Sequence, residues 1–109
     1  MDAVLQAISD EGRRTLLAEL RKGPATVNQL AALLPIARPG VSRHLRVLRE
    51  VGLVDVRNEA QRRIYTLHPE PLQELDQWLD EYRALWEQRL DALHTEVARG
   101  KTQRRKNDG

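Results

Sequence analysis

The chain of 109 residues contains no cysteine, which excludes disulfides, thiolate metal sites and cysteine nucleophiles. No segment approaches the roughly eighteen consecutive apolar residues of a membrane span. The start lacks the basic region and apolar run of a signal peptide, so a soluble protein that stays in the cytoplasm is expected. There is no glycine-rich phosphate loop and no paired-carboxylate cleft, and the three histidines fall on different elements. Nothing in this pattern assembles the centre of an enzyme or calls for a cofactor. Acid is missing locally as well: residues 38–49 carry Arg38, Arg43, Arg46 and Arg49 without one Asp or Glu.

What is present is divided by charge. Residues 1–68 hold 11 Lys/Arg against 7 Asp/Glu, residues 69–99 hold 3 against 8, and residues 100–109 hold 4 against 1, giving +4, −5 and +3. One face can therefore meet a polyanion while the acidic segment does something else, such as hold a partner subunit. A chain this short makes one domain that buries roughly two thirds of its extended-chain surface, and a second copy would add to a small core.

The stretch Ala37–Gly52 predicts a helix of about twelve residues. Val41, Leu45 and Leu48 share one face, and Pro39, Ser42, Arg43 and Arg46 lie on the rest of the circumference. Pro39 suits the first turn, where a missing N–H is harmless, and Gly52 suits the position after the helix, where φ > 0 is wanted. An arginine-rich surface without acid seeks an anion, although a merely solvated face has the same composition.

Upstream, Asp2 can cap a short helix that buries Val4, Leu5 and Ile8. A second helix follows from about Glu11 to Lys22, with Leu16, Leu17 and Leu20 inward and Gly23-Pro24 as its stop. Thr26-Val-Asn-Gln29 is a capping box. It opens a third helix, Val27–Leu34, with Val27, Leu30, Leu33 and Leu34 inward. Only Pro35, Ile36 and Ala37 separate it from the basic helix, which makes a helix-turn-helix with Ile36 as the apolar plug under the turn.

After Gly52 the period changes to two. Leu53–Arg57 and Arg62–Leu67 predict a hairpin with residues 58–61 as a four-residue loop, a wing with Arg57, Arg62 and Arg63 near its tip. His68-Pro-Glu-Pro71 then starts a last helix. Leu72, Leu75, Leu79, Tyr82, Trp86, Leu90, Leu93 and Val97 recur along it at threes and fours, with Trp78 and Leu85 beside them. At about 28 residues, or roughly 42 Å, this helix is too long for one small domain to cover. A homodimer interface of Leu75, Leu79, Tyr82, Trp86, Leu90 and Leu93, packed with Leu5 and Ile8 of the first helix, is expected, the alternative being closure of the monomer's own core. Residues 1–99 then form a DNA-binding and dimerisation domain, and residues 100–109, without an apolar side chain, a disordered basic tail. Lys101, Arg104, Arg105 and Lys106 of that tail can touch phosphate.

Ile36 to Val54, followed by Arg62-Arg-Ile-Tyr-Thr-Leu67, resembles the recognition helix and wing of the ArsR family of winged helix-turn-helix repressors. Ser42 to Leu45, Leu48 and Gly52 to Val54 match its Ser-x-His-Leu core and Gly-Leu-Val exit. Asp10 and Arg13-Arg14 sit where the family has an Asp-Pro-x-Arg-Arg turn, with Glu11 in place of the proline. Ala37 replaces a frequent Ser N-cap, a loss of about 1 kcal/mol locally. The resemblance implies a mainly helical fold with a small β-hairpin wing that dimerises through its terminal helices. It also implies a homodimeric, sequence-specific repressor of an inverted-repeat operator on double-stranded DNA, with autoregulation as one form of that control.

The residues expected at DNA are Arg38, Pro39, Ser42, Arg43 and Arg46 of the recognition helix, Arg57, Arg62 and Arg63 of the wing, and Thr26 and Asn28 at the third helix's start. His44, at the edge of the buried face, is open to packing, a phosphate hydrogen bond or a base contact. The family's thiolate sensor has no counterpart in Val27–Leu33. Glu87, Asp91, His94 and Glu96 offer a single imidazole where zinc wants two or three, so no metal site is assigned. A protein-interaction module without specific DNA binding, and a repressor that answers to a metal or to a small ligand near Trp78, Tyr82 and Trp86, are the alternatives.

Overall fold

The computed structural model describes the backbone of residues 1–108 and the side chains of residues 1–94. In chain order it contains α1 (Asp2–Ile8), α2 (Glu11–Leu20), β1 (Ala25–Thr26), α3 (Val27–Ala31), α4 (Arg38–Glu50), β2 (Val54–Glu59), β3 (Arg62–Leu67) and α5 (Leu72–Asp108). The chain divides into two compact units, Met1–Leu75 and Asp76–Gly109. The architecture is mainly helical with a small antiparallel sheet, as the resemblance implies.

The first unit is built around the back of α4. Val41, Leu45 and Leu48 have no exposed surface, and they pack with Leu16 and Leu20 of α2, Leu30 of α3, and Leu53, Val54 and Tyr65 of the wing's root. Burying each such aliphatic side chain contributes about 1.5–3 kcal/mol, so the apolar stripe fixes the face that α4 turns to solvent. Pro39 stands in its first turn, and Ala37 caps it without a side-chain hydrogen bond. At the other end the Gly52 N–H donates to Arg49 O at 3.0 Å and the Leu53 N–H to Leu48 O at 3.0 Å, with Gly52 at φ +80°. This pair of bonds is a Schellman stop. It turns the chain directly into the wing.

The hairpin belongs to a three-stranded sheet of order β1-β3-β2, with Ala25 opposite Tyr65 and Thr26 opposite Ile64. Sequence periodicity misses β1 because two residues show no alternation, and Thr26 was accounted for as a cap. The wing also pairs further than expected: Glu59 stands opposite Arg62, which leaves a two-residue turn of Ala60 and Gln61 instead of a four-residue loop. Ala60 takes φ +57° there, a conformation whose cost for a residue with a Cβ hides it from composition.

Other expectations are corrected by packing. Alpha-helical spacing brings Val4 and Ala7 of α1 to the core, while Leu5 is exposed and Ile8 half-buried. Asp2 lies inside the first turn, and Met1 is the N-cap. The α3 helix stops at Ala31, short of Leu34, and Leu33 is exposed. Ile36 is 45% exposed. Its Cδ1 lies 3.1 Å from where a Cβ on Gly40 would stand, so it covers the turn from outside and does not plug it from beneath.

The second unit is carried by α5. Its polar side is held by Arg83, which donates to Asp80 Oδ1 at 2.8 Å and to Asp76 Oδ1; these carboxylates, Asp76 first, raise the guanidinium's pKa. Trp78 and Tyr82 are in ring contact, with centroids 5.0 Å apart. Trp78, Tyr82, Leu85, Trp86, Leu90 and Leu93 are all exposed. The helix passes through residues for which a disordered tail is expected. Val97, Glu96 and the tail's basic side chains lie outside the described side chains.

Candidate nucleic-acid interface

With its back buried, α4 presents Arg38, Pro39, Ser42, Arg43 and Arg46 to solvent, all exposed. None of these arginines makes an ion pair among the described residues, in keeping with the absence of acid in the segment. Beside them, the wing carries Arg57, Arg62 and Arg63, also exposed. Arg57 Nη2 lies 3.6 Å from Glu59 Oε2 on the same strand.

Two clefts bring these side chains together. One, of about 190 Å³, is lined by Thr26, Asn28 and Val27 of α3's start, Arg38 of α4, and Gln61, Arg62 and Arg63 of the wing. The other, of about 170 Å³, lies between α4 and β3 and is lined by Ser42, Arg46, Arg49 and Arg63 over a floor of Leu45 and Tyr65. Residues from three separate elements thus converge on one basic surface. Arg43 lines neither cleft and stands free on the solvent side of α4.

Thr26 has a second duty that the capping box foretells. Its Oγ1 accepts from the Gln29 N–H at 3.2 Å, and Gln29 Oε1 accepts from the Thr26 N–H at 2.8 Å. Because α3 is only five residues long, it has little macrodipole to offer a phosphate, and the contribution of Thr26 and Asn28 rests on their side chains lining the cleft.

His44 is taken up inside the protein. Arg13 donates through Nη1 to His44 Nδ1 at 3.3 Å, through Nε to Ala7 O at 2.6 Å and through Nη2 to Gln6 O at 3.1 Å. A guanidinium only donates, so Nδ1 is the accepting nitrogen. His44 Nε2 lies 3.7 Å from Asp10 Oδ2, the oxygen that caps α2 by accepting from the Arg13 N–H at 3.0 Å. That N–H first, and the charge of Arg13 after it, hold the Asp10 carboxyl below its ordinary range against the opposing effect of burial. A Cβ on Gly12 would stand 3.0 Å from Asp10 Oδ2 and 3.3 Å from His44 Nε2, so a side chain there would press both by a few tenths of an ångström. The bracket ties the recognition helix to the junction of α1 and α2.

A second bracket holds the wing's root. His68 Nε2 lies 3.3 Å from Asp55 Oδ2, and this contact, ahead of the Val56 N–H, lowers the Asp55 pKa. Gln61 and Arg49 are not among the site residues expected from sequence, and His44, which is, shows contacts to Arg13 and Asp10 that the sequence does not foretell. Arg49 was legible in principle, since Ser42, Arg46 and Arg49 follow at helical spacing along one stripe. Among the described residues no group of three or more His, Asp or Glu side chains is placed to hold a metal, and no helix is long and apolar enough to cross a membrane.

Residues 10–56, which run from Asp10 through the helix-turn-helix into the wing's first strand, match the family described as bacterial regulatory protein, arsR family. The chain is similar to the HTH-type transcriptional regulator Rv2034 of Mycobacterium tuberculosis, with 42% identity over 74% of this chain and 76% of that protein. It is also similar to the transcriptional repressor SdpR of Bacillus subtilis, with 32% identity over 72% of this chain and 88% of the relative. Among solved structures, the ArsR family transcriptional regulator RHA00566 superposes with a TM-score of 0.71 at 32% identity, covering 79% of this chain and 89% of the other. These relatives are named as regulators of transcription and not as enzymes. The chain belongs to the arsR family of winged helix-turn-helix transcriptional regulators, whose members bind DNA.

Proposed function

We propose that the chain is a homodimeric repressor of an inverted-repeat operator, acting in the cytoplasm. One observation carries this reading. The solvent face of α4 is arginine-rich and free of acid, its back is locked in the core, and it stands beside an arginine-bearing wing. Arginine is the natural bidentate partner of guanine in the major groove, so Arg43 is assigned to base edges, with Ser42 and Arg46 beside it at base edges or phosphate. Arg38, Arg62 and Arg63, with Thr26 and Asn28, are assigned to backbone, and Arg57 to the flanking groove.

The exposed stripe of α5, from Leu75 and Leu79 through Tyr82 and Trp86 to Leu90 and Leu93, together with Leu5 and Ile8 of α1, is assigned to the interface between two copies. Two-fold symmetry then places the half-sites about one helical turn, or roughly 34 Å, apart. The repression reported in the name of the Bacillus subtilis relative supports a negative sense of regulation by occlusion of the promoter.

The test is replacement of Arg43 and Arg46 together by Ala. Specific binding to a duplex selected from a random pool is expected to fall by at least 100-fold, each bidentate contact being worth about 1–3 kcal/mol, while the protein's sedimentation is unchanged. Retained sequence-specific affinity contradicts the assignment. Binding that does not weaken with salt favours a protein-docking module instead.

A further inference from the structure

We infer that the cleft between α4 and β3 is a seat for one DNA backbone phosphate, with Arg49 as a binding residue that the reading from sequence leaves without a role. The inference rests on the DNA-binding reading and names a contact within it. Three guanidinium groups, Arg46, Arg49 and Arg63, line the cleft with the Ser42 hydroxyl, and no carboxylate does. None of the three makes a hydrogen bond or an ion pair among the described residues. The acid that feels the charge of Arg49 is Asp55, and its carboxylate is engaged by His68 at 3.3 Å.

Size and charge select the occupant. At about 170 Å³ the cleft holds roughly six waters' volume, and it falls below the roughly 300 Å³ at which pockets take drug-sized ligands. It has room for one tetrahedral anion. Arg49 lies in the last turn of α4, where the helix contributes only about half a negative charge, so three guanidinium charges dominate.

Position selects the source. A helix in the major groove and a wing at the flanking minor groove stand on either side of one sugar–phosphate strand. That strand must cross the space between α4 and β3. The walls of the cleft come from these two elements, and its floor, Leu45 and Tyr65, is buried and packed. The seat is therefore preformed, and a phosphate held there fixes the depth of α4 in the groove without reading a base.

The test uses the full chain and a duplex recovered by selection from a random pool, with affinity followed from about 50 to about 200 mM salt. Arg49→Ala is expected to lower the slope of log affinity against log salt by about 1.8, or about 0.9 for each of the two half-sites, so that its deficit against the wild type shrinks about 12-fold over that range. Arg49→Lys keeps the slope, and both variants select the same sequence. Ethylating one phosphate in each half-site weakens the wild type more than it weakens Arg49→Ala.

An unchanged slope in Arg49→Ala, or an altered sequence preference, overturns the inference. So does uptake of inorganic phosphate that Arg49→Ala abolishes while DNA binding stays intact, which would assign the cleft to a free anion. A pool that yields no preferred duplex brings down the DNA reading and this contact with it. A preferred duplex with an unmoved slope brings down the contact alone.

Discussion

Helix α4 turns Val41, Leu45 and Leu48 inward until none of them has exposed surface, whereas along α5 Trp78, Trp86, Leu90 and Leu93 remain between 44% and 56% exposed. Both helices carry apolar residues at threes and fours, and both carry charge on the opposite side. The difference is what each stripe finds to cover it. Around α4 the same chain supplies α2, α3 and the root of the wing. Along α5 the stripe stays exposed. An apolar pattern thus announces a buried face without saying whose atoms bury it, and α5 is the surface on which a second copy is proposed.

The largest effect should separate these two stripes. Leu45→Ala removes a fully buried side chain and is expected to destabilise the fold by about 2–5 kcal/mol, read as a lower urea midpoint. Leu90→Ala in dilute protein is expected to change the stability by less than about 0.5 kcal/mol, and to appear instead as weaker self-association. Equal losses in the two variants would erase the distinction between a stripe closed within the chain and one left for a partner.

Arg13→Ala comes next. It removes the donors to Gln6 O, Ala7 O and His44 Nδ1, and a loss of about 1–3 kcal/mol is expected from the unpaired acceptors. Faster amide exchange should be confined to α1 and the adjoining turn of α4. Uniform exchange, or no loss, would show that α4 is held by its apolar back alone.

The smallest effect is on pH dependence. Asp10 and Asp55 both titrate below the ordinary carboxylate value when folded, so the stability they contribute is present above the unfolded value and is lost as pH falls through the folded ones, below about pH 4. Asp10→Asn and Asp55→Asn should each flatten the acid limb of a stability curve. Because both groups are largely solvated, the change is expected to be slight. A steeper limb in either variant contradicts the brackets at His44 and His68.

The parts legible in the sequence were those whose cause is local. The capping box at Thr26, the proline and glycine that frame α4, and the inward set Val41, Leu45 and Leu48 follow from neighbours within a turn or two, and the structure bears them out. The parts that escaped depend on distant chain. Strand β1 exists only because β3 lies beside it, and the two-residue turn at Ala60 is set by register across the hairpin. The partner of His44 comes from Arg13, 31 residues away. Within the candidate interface the basic stripe was visible, but its grouping into two clefts, with Gln61 and Arg49 as members, needed the placement of α3, α4 and the wing together. The acidic, apolar-striped α5 was recognisable as unfinished from its length alone.

In the proposed dimer one subunit is incomplete and two deliver a pair of recognition helices to one operator. Sedimentation of the saturated complex between the full chain and a selected inverted-repeat duplex tests it most directly. Two chains per duplex are predicted for the wild type, with Trp86→Glu reduced to monomers in the absence of DNA and unable to saturate the same duplex as a pair. One chain per duplex in the wild type, or an unchanged dimer mass in Trp86→Glu, would contradict it.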